Sequence, residues 1–156
     1  AGLSENQGIS GGMILHIGGM LGQVAFGFIS AKFKLKKLAA VYMFTAVLSM
    51  CLFAVFFNDL NFLMYLGFSV GFFLFGSITS LYILVPSLYP AEIRTTGMGA
   101  GIGVGRIGAI LSPTITGVLL DMGLQTSSLF VIFSLPMLIA MMAILFIRTD
   151  QINPAL

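Results

Sequence analysis

The side chain that most invites a chemical role is Arg106, the one charge in the glycine-studded run GMGAGIGVGRIGAILSP from Gly97 to Pro113. A guanidinium stays protonated at any ordinary pH and presents a planar fork of donors that fits a carboxylate through two parallel hydrogen bonds. Inside apolar sequence such a charge is costly, so by default it marks a functional site or a structural ion pair. Laid out at about 100° per residue, Gly97, Gly101, Gly105, Gly108 and Ser112 fall on one narrow helix face, a small-residue strip that predicts close approach of a neighbouring backbone. Gly99, Gly103, Ile102, Ile110 and Pro113 cluster around Arg106 on roughly the opposite side. The two glycines there leave volume that a neighbouring helix or a ligand would fill. GVGRIG also matches the G-x-G-x-x-G dinucleotide fingerprint, but that motif needs a preceding strand and an aqueous strand-to-helix turn, and here apolar sequence continues on both sides.

His16 and Gln23, seven residues apart, share a face with Gly12, Met13, Gly19, Met20 and Gly27. That face is poorly suited to lipid and is expected to look inward, with His16 either bonded to a neighbouring helix or touching a ligand or proton. Tyr65, Ser69, Gly76 and Ser80 recur at helical spacing and make Ser80 a further candidate on the same pathway. Between apolar stretches stand Glu92 and Arg94, in YPAEIRTTG, and Lys32, Lys34, Lys36 and Lys37, in KFKLKK. As solvated charges Glu92 and Arg94 would be worth under ~1 kcal/mol together. The functional alternative is a cytoplasmic gate, made in one state of a moving protein and broken in the other, with Lys32, Lys36 and Lys37 as gate partners or as ligands of anionic headgroups. One cysteine, Cys51, and one histidine allow no disulfide framework and no ligand spacing for a metal, so neither metal nor cofactor is expected. An enzyme would need clustered His, Asp, Glu or Cys, and a passive channel a ring of like charges or carbonyls.

The elements that must position these residues follow from composition. The chain is 58% hydrophobic and 8% charged with mean hydropathy +1.09, whereas about a quarter of the residues of a soluble domain are charged. Its solvent is the bilayer. Apolar segments at 8–31, 38–57, 62–88, 97–120 and 129–147 are each long enough, at ~1.5 Å per residue, to cross a hydrocarbon core of ~30 Å. The expected fold is an all-α membrane bundle of five helices. The second and fifth segments contain neither glycine nor charge and are expected at the lipid-facing periphery, whereas the first, third and fourth should face the protein interior. Beginning at Ala1 with no charged n-region before a short apolar core, the chain reads as a piece of a longer protein without a signal peptide. Alternate loops collect Lys32, Lys34, Lys36, Lys37, Arg94 and Arg148 on one side and Glu5, Asp59 and Asp121 on the other. The positive-inside rule makes the first side cytoplasmic, with the C-terminus there and Arg106 ~14 Å deep.

Two motifs carry a family likeness. GGMLGQVAFGFISAKFKLKKL resembles the glycine-rich helix end and short basic cytoplasmic loop that recur in the second half of major facilitator superfamily transporters. LYPAEIRTTGMGAGIGVGRIGAILSP resembles the loop and helix near their C-terminus, most closely in the aromatic acid:proton symporter family, with its YP-x-x-x-R-x-TG and G-x-G-R-x-G. The first motif departs from the family pattern, having Ala31 and Lys32 where an acidic residue and arginine usually stand, while Lys36 and Lys37 keep the later basic pair. The resemblance implies that the segments are helices eight to twelve of a twelve-helix transporter, the eighth, tenth and eleventh bordering a central cavity. It implies proton-coupled uptake of an organic anion such as an aromatic carboxylate, by alternating access, in the bacterial inner membrane, with a missing N-terminal half, lipid, anion and proton as partners and no nucleic acid. Arg106 then either grips the substrate carboxylate, pairs with an acidic group of the missing half, or snorkels to the cytoplasmic face. A sugar or other metabolite as substrate keeps the same fold, and a structural subunit of a membrane complex is the alternative from another class.

Overall fold

Backbone amides and carbonyls in a bilayer must be satisfied within the protein, which leaves helices or closed barrels as spanning elements. In the computed structural model each apolar segment is one helix: α1 (Glu5–Ser30), α2 (Leu35–Val55), α3 (Leu60–Ser87), α4 (Arg94–Asp121) and α5 (Thr126–Phe146). The structure describes residues 5–57 and 59–147, with side chains from residue 8 onward other than 60 and 61, and among these there is no strand. All five helices are long and apolar enough to cross a membrane. They begin slightly before the hydropathy boundaries, α4 for example at Arg94 rather than Gly97, because polar first-turn residues continue the helix into the interface. Arg148 and the side chain of Glu5, used above for orientation, lie outside the described residues and side chains.

Helix α1 lies along α3 in the most extensive contact of the bundle, and glycine is the reason. A Cβ at Gly18 would collide with the backbone of Phe68, one at Gly22 with the backbone of Phe72, and one at Gly71 with the backbone of Leu15. Four-residue spacing puts Gly18 and Gly22 on one face, and their missing side chains let the two backbones meet. Gly76 does the same for a ring: its Cβ would stand 2.6 Å from the Tyr42 ring of α2. Tyr42 is only 4% exposed and packs edge-on to Phe26 of α1, with ring centroids 4.9 Å apart, and to Phe73 of α3 at 5.4 Å. One side chain thereby joins three helices.

The second segment combines a lipid-facing side with a more extensive packed side than its composition indicates. One face of α2 buries Leu35, Ala39, Tyr42, Met43, Ala46, Val47, Ser49 and Met50 between α3 and α5. Val41, Phe44, Leu48 and Val55 remain exposed on its other side. Composition could not separate these faces, because lipid tails are as apolar as a protein core. Helix α5 packs on α2, with Phe130 against Phe53 at a centroid distance of 4.4 Å. The serines and threonines inside the bundle hydrogen-bond within it. Ser49 and Ser69 join α2 to α3 at 2.9 Å, while Ser77, Thr45 and Ser134 donate to carbonyls of their own helices at 2.7, 2.8 and 2.7 Å.

Helix α4 stands apart. None of its residues is buried, and its contacts with α3 and α5 are slight. Gly101, Gly105 and Gly108 meet nothing within 4 Å, so among the described residues no helix lies against the strip that predicted close packing. Among the described residues the close backbone approach is made by glycines of α1 and α3.

The α1–α3 contact yields a first test. Gly71→Ala places its Cβ against the Leu15 backbone, which cannot move aside like a flexible side chain, and should destabilise the chain by ~1–3 kcal/mol. Gly27→Ala points into open space and should change stability by less than ~0.5 kcal/mol. Unfolding in detergent micelles measures both, and equal stabilities would remove the close-approach account.

Candidate functional site

Because α4 diverges from α3, a cleft of about 440 Å³ opens between them, within the usual ~300–1,000 Å³ of small-molecule sites. Helix α3 lines it with Ile78, Leu81, Tyr82 and Val85. Helix α4 contributes Met98, Gly101, Ile102, Gly105, Arg106 and Ala109. Only Arg106 and Tyr82 bring polar side-chain atoms, and neither forms a hydrogen bond or ion pair among the described residues. The cleft is therefore an apolar slot with one unpaired cation and one phenol.

The glycines beside the guanidinium differ from those the helical wheel selected. Gly101 and Gly105 share the cleft with Arg106, and their missing side chains widen it, whereas Gly99 and Gly103 face open space. Laying residues around an ideal wheel fixed their angles but not the side from which α3 approaches. Prolines punctuate both walls. Pro113 has no N–H to give to the Ala109 carbonyl, and Ser112 Oγ donates to that carbonyl instead, at 3.2 Å. Pro86 likewise withholds an N–H from the Tyr82 carbonyl, so the α3 ladder is interrupted beside the cleft.

The other candidates lie elsewhere. His16 and Gln23 are exposed on α1, away from the cleft lining, with the imidazole edge-on to Phe75 at 5.8 Å. Ser80 corrects the expectation of a pathway residue: it is fully buried and its hydroxyl donates to the Ser77 carbonyl at 2.6 Å. In the row that selected it, Ser69 bonds Ser49 and Gly76 holds the Tyr42 ring, so these three positions pack inside the bundle while Tyr65 stays exposed. No group of three His, Cys, Asp or Glu side chains among the described residues could hold a metal. Tyr82 was missed by sequence reasoning, although its spacing of four and three residues from Ile78 and Val85 places it on the face that turns toward α4.

The loop charges fall into distinct situations. Lys36, partly buried, donates from Nζ to the carbonyl of Ile147 at 2.7 Å, capping the C-terminus of α5. A cation there also meets the negative end of the helix dipole. Lys36 thus ties the start of α2 to the end of α5, while Lys32 and Lys37 are exposed. Glu92 and Arg94 are both exposed and do not pair; Arg94 Nη2 makes a long 3.5 Å contact to the Tyr89 carbonyl. The Tyr89 ring folds onto the first turns of α4, where a Cβ on Gly97 would come within 2.9 Å of its Cζ. Gly97, expected to receive a helix, receives this ring.

Comparison with known proteins adds to this geometry. A model of the Major Facilitator Superfamily matches residues 2–155. The chain is 29% identical over 134 residues to the benzoate transport protein of Acinetobacter baylyi, covering 86% of this chain and 28% of that relative. It is 34% identical over 99 residues to the 3-(3-hydroxy-phenyl)propionate transporter of Escherichia coli, covering 62% of this chain and 25% of the relative. With the gallate transporter of Pseudomonas putida it shares 40% identity over 77 residues, 49% of this chain and 17% of the relative. The chain thus spans less than a third of the length of these relatives. No solved structure gives a significant match.

The capping role of Lys36 separates it from its neighbours. Lys36→Met keeps the stem but leaves the α5 terminus uncapped, and should lower stability by ~0.5–1 kcal/mol. Lys32→Met and Lys37→Met should stay within ~0.5 kcal/mol of the wild type. Melting temperatures in micelles decide it, and three equal values would return Lys36 to the exposed cluster.

Proposed function

Because this chain belongs to the Major Facilitator Superfamily, we propose that it forms helices eight to twelve of a proton-coupled transporter of organic anions, with the α3–α4 cleft as part of the substrate site. The observation that carries the reading is an unpaired Arg106 in an otherwise apolar slot of about 440 Å³. Secondary transporters hold substrate near the bilayer midplane and rock two bundles around it. A guanidinium at that depth is costly when empty, and a carboxylate ligand offsets part of the cost through two charge-assisted hydrogen bonds. The apolar walls take the body of the ligand. An aromatic carboxylate has this division of charged head and apolar ring, and it is the chemistry named in the benzoate relative.

The remaining candidates fit around that centre. The acidic residues of the sequence, Glu5, Asp59, Glu92, Asp121 and Asp150, lie at helix ends, in loops or in the tail, so the proton carrier belongs to the partner N-terminal half. His16 and Gln23, exposed on α1, face that half. Lys32, Lys37 and Arg94 form a cytoplasmic rim whose contacts change as the bundles rock, and the C-terminus is cytoplasmic, in a bacterial inner membrane.

Arg106→Lys tests the carboxylate grip. The lysine keeps the charge and loses the fork, so benzoate binding to the transporter carrying this chain should weaken by ~1–3 kcal/mol with the melting temperature nearly unchanged. Unchanged affinity together with a lowered melting temperature would make Arg106 a structural partner instead.

A further inference from the structure

We infer that Tyr82 sorts the ligands held at Arg106 by what they carry at the end away from the carboxylate, its phenol hydroxyl bonding a ring hydroxyl there. The inference rests on the carboxylate reading of the cleft and adds to it a residue that sets specificity. Among the lining side chains only Arg106 and Tyr82 offer polar atoms, and the Tyr82 hydroxyl has no partner among the described residues. The residue is 51% exposed, so the hydroxyl is not committed to the bundle. Tyr82 lines the α3 wall together with Ile78, Leu81 and Val85.

Position decides which part of a ligand it meets. α3 ends at Ser87 and α4 begins at Arg94, so the two helices run antiparallel from a short loop. At ~1.5 Å per residue, Arg106 lies ~18 Å along α4 and Tyr82 ~8 Å back along α3, which puts them at levels ~10 Å apart. One aromatic ring with hydrogen bonds of ~2.7–2.9 Å at both ends has a length of the same order as that interval. With its carboxylate on Arg106, such a ring directs its far substituent along the cleft toward Tyr82. A phenol both donates and accepts, so it receives a ring hydroxyl in either sense. A ring without that hydroxyl leaves the half-exposed phenol to water, and therefore still binds.

Tyr82→Phe removes the hydroxyl and keeps the ring in the wall, so packing is retained and the melting temperature should not move. Equilibrium binding of benzoate and 4-hydroxybenzoate, which differ by one hydroxyl, is measured on the wild-type transporter and on the variant. The expected result is a five- to tenfold rise in the dissociation constant for 4-hydroxybenzoate with less than a twofold change for benzoate. An equal loss for both ligands, or no change for either, overturns the role of Tyr82 and leaves the Arg106 site standing. A wild-type transporter that binds neither overturns the carboxylate reading and this inference with it.

Discussion

The closeness of two backbones determines the rest of this bundle. Gly18 and Gly22 of α1 and Gly71 of α3 sit where a methyl group would strike main-chain atoms of the facing helix. In a bilayer there is no hydrophobic drive between helices, so association rests on packing and on hydrogen bonds across the interface. Glycine contacts of this kind bring long stretches of helix within dispersion range, and they fix register because a shift along the axis would set backbone against side chain. Tyr42 enters from α2 only because Gly76 leaves room for its ring. Helix α5 then follows α2, held at its last turn by Lys36.

Against that rigid set, α4 is the odd element, and the cleft exists because it is. The serines and threonines with bonds inside the bundle satisfy them on their own helices or on each other, as at Ser49 and Ser69. The described residues leave no buried side-chain polar atom without a partner. Within the cleft the hydrogen-bonding capacity left open is that of Arg106 and Tyr82. On the proposed reading, such a slot would select for one charge sign and for an apolar body of limited size. Prolines in α3 and α4 interrupt the ladder along both walls, which is where a transporter that rocks would bend.

Much of the architecture was legible in the sequence, because length and hydropathy suffice to mark helices that must cross a membrane. Five helices and their order came from that reading. Which face meets which neighbour was not legible there. The strip Gly97, Gly101, Gly105 and Gly108 has the spacing of a close-packing face, yet it receives a tyrosine ring at Gly97 and opens onto the cleft at Gly101 and Gly105. Spacing shows that a helix is able to approach closely, not that one does. α2 has no glycine, yet Ala39 and Ala46 are small enough to serve its packed face while its other side stays exposed. Ser80 was selected for polarity, but a serine hydroxyl reaches the carbonyl three residues back and vanishes into its own helix. Tyr82 gave no contrast in an apolar run because a tyrosine ring is itself mostly apolar.

The central claim is that a carboxylate ligand occupies the cleft between α3 and α4, and its most direct test is protection of a cysteine placed there. In a background with Cys51 replaced by serine, Ile102→Cys puts a thiol in the cleft lining, and Val104→Cys puts one on the exposed surface of the same helix, outside that lining. Alkylation rates are read in the membrane with and without saturating benzoate, and again with benzamide, which lacks the charge. The proposal predicts that benzoate slows alkylation at position 102 at least severalfold and not at 104, while benzamide protects neither. Equal rates at position 102 with and without bound benzoate would contradict it.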